Sequence, residues 1–165
     1  MYSEKVRDTF LHPKNMGKME NPDGTGKVGN IVCGDVMWLY IKVARNSKGE
    51  RVISDIKWQT FGCAAAIATS SAVTELAKGK TLEQALEVSN KSVVDSLGGL
   101  PPVKLHCSVL AEEALGEAIY DYMKKNNLPV PEKLQKRHEK IVAEIKQIEE
   151  RYREFLQKED STEKK

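Results

Sequence analysis

The stretch Leu100-Pro101-Pro102-Val103-Lys104-Leu105-His106-Cys107-Ser108 constrains the fold more than any other part of the chain. A proline has no amide hydrogen to give, and the second of a pair drives the residue before it out of the helical region. Pro101-Pro102 therefore reads as an extended, rigid segment that sets His106 and Cys107 at the start of the helical pattern from Ser108 to Lys125. At that place Cys107 faces unpaired amides and the positive end of the helix dipole, which favours its thiolate. The other cysteines, Cys33 and Cys63, also fall at the edges of predicted elements.

The remaining elements follow from periodicity and punctuation. Ser3 to Leu11 reads as a short helix stopped by Pro13. Asn15 to Asn30 carries the Gly, Asn, Asp and Pro of a loop, and its Gly-Thr-Gly-Lys-Val-Gly-Asn run lacks the spacing of a phosphate-binding loop. Val36 to Ala44 alternates as a half-buried strand, with Met37, Leu39, Ile41 and Val43 on one face and Trp38, Tyr40 and Lys42 on the other. Asn46 to Gly49 turns the chain, and Arg51 to Thr60 returns with Val52, Ile56 and Trp58 on one face. A third strand is expected near Lys27 to Ile31. Cys63 to Lys78, Thr81 onward (a capping box with Gln84) and Asn90 to Leu97 read as helices. The fold class is thus α+β: a three-stranded antiparallel sheet packed with several helices.

Pro129 and Pro131 divide the chain into a domain over 1–127 and an extension over 128–165. In the extension Leu134, His138, Ile141, Ile145, Ile148, Tyr152 and Phe155 recur at alternating steps of four and three, a heptad seam flanked by charges. A helix of that length is marginal alone, so docking on its own domain is favoured over an intermolecular coiled coil. Glu159 to Lys165 reads as a frayed end.

Composition limits the partners. A formal net charge of +2 with acids and bases interleaved gives no footprint for nucleic acid. No apolar run is long enough to span a bilayer, and the first residues show no basic-then-apolar leader, which points to the cytoplasm, where thiols stay reduced. Three cysteines there are commonly buried small side chains. Their context argues otherwise: Val32-Cys33-Gly34-Asp35, Phe61-Gly62-Cys63-Ala64 and His106-Cys107-Ser108 each stand where a loop meets regular structure. In an α+β fold such junctions can converge at one edge. Three thiolates plus a fourth donor would suit zinc or an iron–sulfur cluster. Asp35 would project to the same side as Cys33 on extended backbone, and His106 adjoins Cys107; either could complete the set. Gly34 and Gly62 would keep side chains out of the way of the metal.

These motifs, Cys33-Gly34-Asp35, Gly62-Cys63 followed by Ala66-Ile67-Ala68 and Ser70-Ser71, and Leu100 to Ser108, closely resemble the IscU/NifU N-terminal family of iron–sulfur cluster assembly scaffolds. The resemblance covers Tyr2 to Asn126. It implies transient assembly of a [2Fe–2S] cluster from an iron donor and from sulfur delivered by a cysteine desulfurase, then transfer to apo iron–sulfur proteins. Cys33, Cys63 and Cys107 would be ligands, with Asp35 and His106 beside them. Leu100, Pro101, Pro102, Val103 and Lys104 match the segment that an Hsp70-type chaperone with its J-protein recognises. Ala64-Ala65-Ala66 stands where many relatives have Gly-Ser-Ala, and the extension lies outside the family core.

A carboxylate is a harder and weaker partner for an iron–sulfur core than a thiolate, so Asp35 would keep the cluster exchangeable. Sulfur receipt needs a nucleophilic thiolate, and helix-dipole grounds favour Cys107, with Cys33 next. The expected role is scaffold and sulfur acceptor rather than turnover catalyst, and a homo-oligomer is compatible with it. Two other classes use the same residues. One is a zinc-binding sulfur acceptor or structural zinc domain, with Zn2+ in place of the cluster. The other is a thiol enzyme with Cys107 as nucleophile and His106 as base, disfavoured because neighbouring helical residues point about 100° apart.

Overall fold

The structure, a computed structural model, describes residues 1–30 and 34–162, leaving aside the side chains of Leu156 and of 158–162. Ile31, Val32 and Cys33 therefore lie outside the described residues, as does the end of the segment expected to fray. The elements in order are α1 (Glu4–Leu11), β1 (Gly24–Gly29), β2 (Val36–Arg45), β3 (Arg51–Thr60), α2 (Ala64–Ala77), α3 (Leu82–Leu86), α4 (Asn90–Ser96), a 3-10 turn (Pro102–Lys104), α5 (Leu105–Lys125) and α6 (Glu132–Thr162). The strands form one antiparallel sheet in the order β1-β2-β3, the expected α+β class.

Alternation explains how the sheet builds its core. Met37, Leu39 and Ile41 of β2 are fully buried, as are Ile56 and Trp58 of β3. The β3 face differs from the expectation at one point: Ile53, not Val52, joins the buried set. The register slips between Lys42 and Val43, where Lys42 pairs with Asp55 but Val43 pairs with Ile53, so Ser54 is an extra residue on β3. Such a bulge inverts the alternation beyond it. The core closes with α2 and α5 packed on the sheet.

β1 spans Gly24–Gly29, beginning three residues before the expected Lys27 and inside the stretch that reads as loop; the expected end at Ile31 lies outside the described residues. The cause is close approach. A Cβ on Gly24 or Gly26 would fall on the backbone of α5 at the carbonyls of Ala118 and Ala114. The glycines that weaken a strand by propensity here let a helix lie directly on it. The same geometry rules the phosphate-loop reading out.

The proline segment is extended only at Pro101 (φ −55°, ψ 142°); Pro102 already opens the 3-10 turn that runs into α5. Proline suits the first position of such a turn because its missing amide would have no partner there. The capping box at Thr81 is present, the Thr81 hydroxyl accepting from the Gln84 amide and the Gln84 carboxamide oxygen accepting from the Thr81 amide. Among the described residues no helix is long and apolar enough to cross a membrane.

α6 packs against α5 and β1, the docking favoured over an intermolecular coiled coil. Leu134 and Ile141 are buried at 5% and 1% exposure, whereas Tyr152 and Phe155 at the far end of the seam are 68% and 59% exposed. The helix continues to Thr162, past the point where fraying is expected.

Candidate metal centre

Three junctions build the site. The first is the tight turn before β2, in which the Gly34 amide donates to the Asn30 carbonyl and the Asn30 amide to that of Asp35. Gly34 adopts φ +73°, and no atom stands near the position its Cβ would take. Its glycine is required by backbone conformation rather than by clearance for a metal. The chain at Gly34 is therefore turned, not extended, and the alternation argument that put Asp35 on the same side as Cys33 does not apply there. Cys33 itself lies outside the described residues.

The second junction is β3 to α2. Cys63 is the N-cap of α2, half-buried, with no side-chain cap bond. A Cβ on Gly62 would stand 2.5 Å from Ala66 Cβ and 3.4 Å from the Asp35 carboxyl carbon, so the glycine lets the chain lie against the first turn of α2. The third junction is the 3-10 turn entering α5, which makes His106 and Cys107 the second and third residues of that helix. Cys107 is fully buried, and its carbonyl accepts from the Thr69 hydroxyl of α2 at 3.2 Å. That bond ties the first turn of α5 to the helix that carries Cys63.

These junctions meet. The sulfurs of Cys63 and Cys107 are 4.0 Å apart, and His106 Nε2 lies 3.5 Å from the Cys107 sulfur. One ligand atom each from Asp35, His106 and Cys107 all fall within 4.8 Å of one another. Asp35 and Cys107 are buried and His106 is half-buried, so the donors converge in a partly dehydrated corner. Asp35 and His106, the two candidates for a fourth donor, both stand beside Cys107. An oxygen, a nitrogen and two sulfurs are a donor set of the kind that binds zinc or iron.

The sequence reading missed the local role of Lys104. Its Nζ lies 3.7 Å from the Cys63 sulfur. Burial alone would raise the Cys63 pKa, but the Ala66 and Ala65 amides, the Cys107 thiol and the Lys104 ammonium together hold it below the usual thiol range. Lys104 is pulled the other way, its pKa raised chiefly by the Cys63 and Tyr2 charges. The signal lay in the sequence only as a cation three residues before Cys107; nothing in the spacing pointed it at Cys63. Conversely Cys107, favoured on dipole grounds as first sulfur acceptor, is enclosed, while Cys63 is the more open thiol.

Around this corner the surface is apolar. Phe61 and Val103 are 82% and 76% exposed. Trp38, on the outward sheet face, is half-buried with its ring edge-on to Phe61 at 5.7 Å, and Tyr40 is buried with its hydroxyl donating to Gln59.

Comparison with known proteins places this geometry. Residues 1–129 match the family model described as the NifU-like N-terminal domain. The chain is 60% identical over 126 residues to the iron–sulfur cluster assembly scaffold protein IscU 1 of Archaeoglobus fulgidus, covering 76% of this chain and 79% of the relative. It is 51% identical over 130 residues to the scaffold protein IscU of Azotobacter vinelandii, covering 77% and 98%. Among solved structures, a SUF-system scaffold candidate from Fervidobacterium islandicum superposes with a TM-score of 0.57 at 25% identity, over 72% of this chain and 96% of that one. The family model spans most of the chain and the relatives are more than half identical to it, and the chain belongs to the NifU-like N-terminal domain family together with the IscU scaffold proteins.

Proposed function

We propose that the protein is a scaffold on which a [2Fe–2S] cluster is assembled from iron and from sulfur released by a cysteine desulfurase, and from which it passes to apo iron–sulfur proteins. The observation that carries this reading is the convergence of Asp35, His106 and Cys107 within 4.8 Å, with the Cys63 sulfur 4.0 Å from that of Cys107. Cys63 and Cys107 supply soft thiolates, and Asp35 supplies the harder oxygen that makes the cargo easier to release. Cys33, two residues before Asp35 in the sequence, completes the proposed ligand set.

The scaffold domain is residues 1–127, with 128–165 as an appended helix. Iron and sulfur are substrates, and the chain acts as acceptor and holder rather than as a turnover catalyst. Sulfur receipt at Cys107 requires the Asp35 turn or the first turn of α5 to move aside, because Cys107 is enclosed; of the two described cysteines Cys63 is the more open. The exposed Val103 in the Leu100 to Lys104 segment supports docking of an Hsp70-type chaperone, with its J-protein as a further partner. The compartment proposed is the cytoplasm.

Zinc is the second reading, favoured by the mixed oxygen, nitrogen and sulfur donors, which suit a tetrahedral ion. Transfer kinetics separate the two. With a cluster assembled anaerobically on the scaffold, Asp35→Ala should slow its passage to an apo-ferredoxin; unchanged or faster transfer counts against Asp35 as the labile partner. A chain that holds one colourless zinc and never donates a cluster supports the zinc reading.

A further inference from the structure

The metal corner makes no use of α6, yet the far half of that helix lies beside the Gly34 backbone that leads into Asp35. The near half is clamped. Leu134 and Ile141 are buried, the Arg137 guanidinium pairs with Glu112 at 3.0 Å, and His138 Nδ1 lies 2.8 Å from Glu117. The His138 ring also stacks on Tyr120 at 3.8 Å, within 13° of parallel. The far half is held lightly. Its polar tie to β1 is the exposed Lys27–Glu149 pair at 3.3 Å, a kind of contact that adds little stability. Tyr152 and Phe155 remain largely in solvent.

What the far half overlies is specific. Ile148 Cδ1 would stand 2.8 Å from a Cβ on Gly29, and that same position faces the Asp35 carbonyl oxygen at 3.6 Å. A cavity of about 330 Å3 is lined by Gly34, Ile148, Arg151, Tyr152 and Phe155. Gly34 directly precedes Asp35, so the helix lies against the outer side of the turn that presents the carboxylate.

We propose that the far half of α6 is a strap over the Gly34–Asp35 turn, and that its loosening sets how fast ions enter and leave the metal centre. A firm clamp followed by a lightly held stretch allows the end to lift without global unfolding. This inference rests on Asp35, Cys63, His106 and Cys107 being the metal centre.

The test uses the full chain with Co2+ alone as probe, because sulfur–cobalt absorption reports the ligands. Ile148→Glu combined with Tyr152→Glu should leave the bound Co2+ per chain unchanged while extraction by a chelator becomes on the order of tenfold faster. Tyr152→Ala, which removes a largely exposed side chain and leaves the clamp intact, should give a smaller acceleration in the same direction. Extraction rates equal to the wild type in both variants, with Co2+ still bound, would overturn the strap and leave the metal centre standing. No Co2+ binding by the wild type would overturn the metal centre and the strap together.

Discussion

The starts of α2 and α5 are the same device put to different uses. Each opens a helix with a cysteine, and the two sulfurs stand 4.0 Å apart. At α2 the cysteine is the N-cap, surrounded by Gly62 and the small Ala64-Ala65-Ala66, and it is half-buried with Lys104 beside it. At α5 it is the third residue, sealed from solvent by its neighbours and tied down through Thr69. Helix-end electrostatics favour a thiolate at both places. The surroundings then divide the pair: Cys63 is the more open thiol, beside Lys104, and Cys107 is the enclosed one, close to Asp35 and His106.

Alkylation is the sharpest way to break that division. In the metal-free chain Cys63 should react with iodoacetamide at least about ten times faster than Cys107, because a buried thiol reacts only through local opening. Site-resolved mass spectrometry reads the two rates, and equal rates would mean that the two helix starts are not differently exposed in solution. A smaller effect sharpens the assignment of Lys104. Its ammonium lowers the Cys63 pKa, so Lys104→Met should move the midpoint of the Cys63 alkylation rate to higher pH and leave that of Cys107 in place. A midpoint that does not move would assign the lowered pKa to the Ala66 and Ala65 amides and the Cys107 thiol.

Much of this arrangement is legible from the residues. Arg51 to Thr60 is both the predicted and the observed extent of β3, whose start is set by the Asn46 to Gly49 turn. Pro101-Pro102 locates the start of α5 for the plain reason that a second proline cannot sit inside a helix. Other features depend on partners distant in the chain. The glycines of β1 resemble a loop until α5 lies against them, and Ile53 replaces Val52 in the core because of one unpaired Ser54. The reach of Lys104 to Cys63 and of Ile148 to Gly29 spans tertiary contacts that no local pattern encodes. His138 looks like an ordinary seam residue, yet it meets the buried Glu117, whose pKa burial raises and His138 partly restores.

The central claim is that the corner formed by Asp35, Cys63, His106 and Cys107 gathers iron and sulfide together. Iron and acid-labile sulfide counted per chain, with the visible spectrum recorded on the anaerobically reconstituted protein and on Cys107→Ala, test it directly. The account predicts iron and sulfide in equal amounts with thiolate–iron absorption in the wild type, and loss of both in the variant. A colourless wild type that retains metal but no sulfide would contradict it.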